Sequence, residues 1–288
     1  ASGDIPQASM LDVKSKLGAL LKEAGDLEEA ESVQRSVVAG RAAELGEGHA
    51  DTMASVLSLA EVLELRGKDD EAESLLGQEL CWREGTVGVD AEETIASIRR
   101  LAKFYQERKR LKAMEELYRH ALDLYEARFG SDTDHPGALT VMSDFAKLLE
   151  LQEKLDEAES LHRHVLSRRE KRLGREHPDT LVAADNLGCV LQLFSDWDAA
   201  EQLHEWALQG LEAKLGAEHP ATLASMSNLA ALLAARGKLS AAEAMLRQVL
   251  QVREVKLGPA HPDVLSSVAA LADVLVARGK DEKAEALI

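Results

Sequence analysis

The chain has 288 residues, with 34 Lys and Arg against 51 Asp and Glu, and a formal net charge of −17. Hydrophobic residues make up 45% and aromatic residues 3%, enough for a packed core but poor in the side chains that strands favour. The acidity excludes a broad nucleic-acid surface, and the longest apolar runs, such as 229–235, fall far short of the roughly 20 residues that span a bilayer.

Residues 1–9 are small and polar, without the basic start and apolar block of a signal peptide. From there the chain reads as helix pairs. The first member of each pair, helix A, is predicted over 10–24, 52–66, 94–108, 138–152, 180–194, 222–236 and 264–278. The second, helix B, is predicted over 27–44, 69–86, 111–128, 155–172, 197–214 and 239–256. In 222–236 the large apolar residues Leu223, Met226, Leu229 and Leu233 recur at three and four, as one helix face requires. Gly25, Gly67, Gly237 and Gly279 close helix A, where glycine can take the left-handed conformation. The expected organisation is a single repeat domain over 1–288. Six complete units start near 10, 52, 94, 138, 180 and 222, with a truncated seventh from 264.

Several markers share one register. His135, His177, His219 and His261 each precede Pro and stand 42 residues apart. His49 is two periods and two residues ahead of His135, and the extra pair fits the longer step from Gly130 to His135. Ala30, Ala72, Met114, Ala158, Ala200, Ala242 and Ala284 are each followed by Glu. On helix A a small residue recurs as Gly18, Ala60, Ala102, Ala146, Gly188, Ala230 and Ala272, which lets two helices approach closely.

The sharpest stretch runs from Asn228-Leu229-Ala230 through Gly237-Lys238 and Ala242-Glu243 to Arg253-Glu254-Val255-Lys256-Leu257-Gly258 and His261-Pro262. It resembles the tetratricopeptide repeat, in the 42-residue variety of kinesin light chain and nephrocystin-like proteins. The tyrosine usual after the Leu-Leu pair is replaced here by Leu, Val or Ala. The resemblance implies an all-α, right-handed superhelical solenoid of antiparallel helix pairs, with helix A lining a concave groove and helix B the convex face. It also implies a non-catalytic interaction scaffold or adaptor that binds a peptide or helix of a protein partner in the groove.

Charge divides between the two faces. The helix A segments sum to +2, so −19 falls on helix B and the loops. Arg99, Arg100 and Lys103 gather on the third helix A, with Lys147 in the next unit, and make an acidic peptide the expected ligand. Pairing with Glu107, Asp144 or Glu150 is the plainer use of these cations. Asn186 and Asn228 hold the position from which, the resemblance implies, an Asn grips a peptide backbone. The other units place Lys16, Ser58, Arg100, Asp144 and Ala270 there. The competing reading is a structural subunit of a large assembly, docked through its ends or its acidic convex face. End-to-end packing through the incomplete seventh unit belongs to that reading.

No enzyme is expected. The sequence has no Gly-rich phosphate loop, no Gly-x-Ser-x-Gly and no paired His with an intervening Glu. Neither a cofactor nor a metal is expected, since the loop histidines follow the repeat and His162 and His204 lack a third ligand at tight spacing. Those two hold equivalent positions, and stacked rings are the expectation there. Cys81 and Cys189 lie on different helix types and read as small buried residues without a disulfide. An intracellular, cytoplasmic location follows, or an organelle after removal of a transit peptide.

Overall fold

The computed structural model describes residues 7–131 and 133–287. The chain divides into two compact halves, Ala1–Thr133 and Asp134–Ile288. The first half holds three helix pairs: α1 (Gln7–Ala24) with α2 (Leu27–Leu45), α3 (Ala50–Leu65) with α4 (Asp69–Thr86), and α5 (Glu92–Glu107) with α6 (Leu111–Phe129). The second half holds α7 (Pro136–Leu151) with α8 (Leu155–Leu173), and α9 (Pro178–Leu193) with α10 (Trp197–Leu215). It continues with α11 (Pro220–Ala235) and α12 (Leu239–Leu257), then α13 (Pro262–Ala277) and the short α14 (Asp281–Glu285). Within each half a helix packs on its neighbours in sequence, so the fold is an all-α repeat solenoid. No helix among the described residues is long and apolar enough to cross a membrane.

The helices α3, α5, α7, α9, α11 and α13 begin two residues ahead of the predicted starts, and in all of them but α5 the cap is a histidine. Nδ1 of His177 accepts the N–H of Asp179 at 3.1 Å. His49, His135, His219 and His261 make the same bond at 3.2 Å, to Asp51, Gly137, Ala221 and Asp263. Where Pro follows, it stands in the first turn, whose N–H groups have no intrahelical partner.

The turn from helix A to helix B needs one residue in the left-handed region. Gly67 and Gly237 supply it at φ 69° and 77°. Lys109, Glu153 and Ser195 are forced into the same conformation at φ 56°, 60° and 63°. The turn is fixed by paired backbone bonds, Asp196 N–H to Leu191 C=O at 2.9 Å and Ser195 N–H to Gln192 C=O at 3.0 Å.

The small-residue register is the core of each pair. Ala60, Ala146, Ala158, Ala200, Ala230 and Ala242 are fully buried. Gly18 and Gly188 face polar side chains instead. A Cβ on Gly188 would lie 2.8 Å from Cε1 of His204, and one on Gly18 would lie 2.6 Å from Nε2 of Gln34. Gln34 and His204 hold the register at which α4 and α12 carry Leu76 and Leu246. The missing Cβ is what admits them.

The glutamate after the register alanine ties one pair to the next at several joints. Glu31 of α2 accepts Lys68 and Arg35 at 2.9 Å and Arg66 at 2.5 Å. Glu201 accepts Arg236 at 2.5 Å and Lys238 at 2.6 Å. Glu243 accepts Arg278, Lys280 at 2.8 Å and Arg247 at 3.1 Å. Burial pushes the Glu31 carboxyl up, but the bonds from Lys68, Arg35 and Arg66 outweigh it and hold it at about 2. Lys280 first, with Arg247 and against burial, brings Glu243 to about 2 as well.

Candidate partner-binding site on the helix A face

In the first half, α3 and α5 enclose a cavity of about 500 Å3. Ala96, Arg99, Arg100, Lys103 and Glu107 recur at three and four along α5, so they share one wall, and Phe104 lies among them. Glu61 and Glu64 of α3 form the other side. The three predicted cations of α5 therefore converge, and they meet three carboxylates. Nη1 of Arg100 reaches Oε1 of Glu61 at 2.7 Å, while Nζ of Lys22 on α1 takes Oε2 at 2.7 Å. Glu61 thus bridges three successive A helices. Burial raises its carboxyl, but Lys22 and Arg100 overcome this and hold it below the usual range. Burial pushes Glu64 up, with Glu107 and Glu61 adding to the rise and Arg108 and Arg100 opposing it. The guanidinium of Arg108 lies 3.8 Å from the Phe104 ring centroid and pairs with Asp69 at 2.7 Å. Arg99 and Lys103 are exposed, and the Lys103 ammonium stands 3.7 Å from Glu107.

The remaining predicted residues lie in the second half. Lys147 is exposed on α7. Asn186 on α9 is half-buried and has no hydrogen-bond partner among the described residues. Asn228 on α11 is half-buried, and its Nδ2 donates to Oδ2 of Asp185 at 2.7 Å. The sequence reading missed Asp185 itself. Its Oδ1 also accepts Ser225 Oγ at 2.9 Å and meets His204 Nδ1 at 2.7 Å, joining α9, α10 and α11. The signal available was a polar residue, His204, opposite Gly188 at positions where other units pair Ala60 with Leu76 and Ala230 with Leu246.

One expectation is corrected here, that of Cys81, and the two B-helix histidines gain carboxylate partners. His162 and His204, read as stacked rings, each hydrogen-bond a carboxylate. Nε2 of His162 meets Oε1 of Glu150 at 2.8 Å, as His204 meets Asp185. Cys81, read as buried, is exposed on α4. Cys189 is only partly covered by area, yet burial pushes its thiol up to about 12, with Asp185 and Glu150 adding to the rise.

Asp185, His204 and Ser225 have the residue types of a hydrolytic triad without its geometry. Ser225 and His204 bond the same Asp185 oxygen, and Nε2 of His204, where a nucleophile would have to sit, is buried without a partner against Gly188. Among the described residues no three His, Cys, Asp or Glu side chains are grouped to hold a metal ion.

The fold and the register agree with the comparisons. Tetratricopeptide repeat profiles match residues 9–80, 93–171, 137–213 and 222–263, well over half of the chain. The chain belongs to the tetratricopeptide repeat family. No curated protein matches the sequence. Among solved structures, a kinesin light chain protein of Podosopora anserina with nearly identical TPR-like repeats is 26% identical, at a TM-score of 0.52, over 73% of this chain and 98% of that one. BtubC (BKLC) from P. vanneervenii is 21% identical at a TM-score of 0.60, over 77% of this chain and 87% of its own. A tetratricopeptide repeat protein from Parabacteroides merdae is 14% identical at 0.60, over 96% and 90%. The last two share the fold, and the first supports the kinesin light chain-like repeat class.

Proposed function

We propose that the chain is a non-catalytic scaffold whose helix A face receives a segment of a protein partner. Tetratricopeptide repeat proteins generally mediate protein–protein interaction, and the reading goes further by choosing the α3–α5 cavity and an acidic segment. The observation that carries it is the open wall of α5. Arg99 and Lys103 are exposed beside Phe104, while Arg100 and Lys22 already neutralise Glu61. An entering carboxylate displaces Lys103 from Glu107 across a contact of 3.7 Å, a weak pair to break. Ala96 offers a small apolar contact beside the charge.

In the second half, Asn186 can both donate to and accept from an extended backbone, whereas Asn228 has one of its two Nδ2 hydrogens already given to Asp185. Lys147 adds an exposed cation on the same type of helix. A random peptide library selected on the chain tests the reading. Enrichment of Asp- and Glu-bearing peptides, lost when selection is repeated on the Arg99→Glu, Arg100→Glu, Lys103→Glu variant, supports it. Selection that ignores these substitutions removes the cavity from the account.

A further inference from the structure

Near the end of α2, Arg41 closes a joint between three helices. Its Nη1 donates to Asp51 C=O at 3.1 Å and to Ser55 Oγ at 2.8 Å on α3, and its Nη2 donates to Oδ1 of Asp12 on α1 at 2.6 Å. Arg253 of α12 repeats the first two bonds, to Asp263 C=O at 3.3 Å and Ser267 Oγ at 2.7 Å on α13. The third is missing. Asp12 precedes Arg41 by 29 residues, and the residue at that distance before Arg253 is Ala224. Arg83 of α4 likewise has Ala54 at that distance, but Glu79 one turn earlier accepts from it. One turn before Arg253 stands Val249. No carboxylate pairs with Arg253 among the described residues.

Space is left where that carboxylate would stand. A cavity of about 270 Å3 opens at Ala224 and Arg253. Pro220, Leu223 and Leu257 give it an apolar wall, and Lys256 brings a second cation. Two anions also line it, and neither takes Arg253. Glu218 holds Lys256 at 2.9 Å in a pair exposed at both ends. Asp263 turns an oxygen to Nδ1 of His261 at 3.8 Å. Asp51 stands in the same way beside His49 at 3.6 Å, and Arg41 still takes Asp12. An aspartate in that register therefore does not keep a carboxylate off the arginine.

We propose that this cavity binds a carboxylate carried on a short apolar body. The carboxylate takes the open side of the Arg253 guanidinium, as Asp12 does on Arg41, and Lys256 turns to it from an exposed pair of small worth. The body lies against Pro220, Leu223 and Leu257. The volume falls below the roughly 300–1,000 Å3 of drug-sized sites, so the ligand is a small organic acid or one acidic side chain of a partner. The site belongs to the second half of the chain and does not rest on the reading of the α5 wall.

Isovalerate titrated into the 288-residue protein at constant ionic strength tests this, followed by the methyl resonances of Leu223 and Leu257. Saturable shifts with a Kd of about 1–10 mM are expected for so small a ligand. Isovaleramide keeps the body without the charge and should bind about tenfold more weakly. Ala224→Asp should close the arginine from within and abolish binding with no loss of Tm, and Arg253→Gln should abolish it as well. The Arg99→Glu, Arg100→Glu, Lys103→Glu variant should bind isovalerate as wild type does, so this site and the α5 wall stand or fall separately. N-acetylglutamic acid α-amide separates the two sources of the carboxylate. Tighter binding than isovalerate assigns the site to a partner's side chain, and weaker binding to a free acid. Acid and amide binding alike, no shifts up to about 50 mM, or binding that both cavity variants retain would overturn the proposal.

Discussion

Ser195 holds φ 63° in a turn that four other pairs close with glycine. A side chain in that region costs about 1–2 kcal/mol, so Ser195→Gly should stabilise the chain by about 1 kcal/mol and raise Tm. An unchanged Tm would mean that the turn tolerates the side chain without strain. Asp185 is the opposite case. Asp185→Ala strands His204, Ser225 and Asn228 without their acceptor, two of them fully buried, and should cost about 3–5 kcal/mol in denaturant unfolding. The thiols separate too. A maleimide at neutral pH should label exposed Cys81 and leave Cys189, whose thiol burial holds at about 12, unmodified in the native state. At this scale the sequence showed what one helix repeats and hid what three helices share. Arg99, Arg100 and Lys103 were legible together because they follow helical spacing on α5. Asp185 was not, because its partners lie 19, 40 and 43 residues away.

Between elements, the ladder of glutamates joins one pair to the next. The periodic Glu was plain in the sequence, but its role was not, because its cations come 35 and 37 residues later in the next turn. Glu31 and Glu243 are held at about 2 against a usual value of 4.5. Their folded value is depressed, so the stabilisation is present above about 4.5 and is lost as pH falls through about 2. Tm should therefore decline across that window. Glu31→Gln and Glu243→Gln should each lower stability at pH 7 by about 1–3 kcal/mol and flatten the decline. An equally steep decline in both variants would assign the acid sensitivity to other groups. Helix starts were read two residues late, and at five of them the role of the preceding residue was missed. The histidine ring acts as a cap acceptor, a role usually taken by Ser, Thr, Asp or Asn.

For the whole molecule, the repeat made the solenoid legible, since markers 42 residues apart fix the pairs before any contact is known. The division at Thr133 and Asp134 falls in the loop that the sequence shows to be two residues longer. Surfaces were less legible. Met10, Val13, Leu17 and Leu20 are exposed where the equivalent residues of α3 and α11 are buried, and exposure is not written in a single helix. The central claim is that the α5 wall recognises an acidic segment. Its most direct test is fluorescence anisotropy of an acidic peptide selected on the chain, titrated with wild type and with the Arg99→Glu, Arg100→Glu, Lys103→Glu variant. Binding should weaken well over tenfold in the variant while its Tm stays within a few degrees of wild type. Equal Kd values for the two proteins would contradict the account.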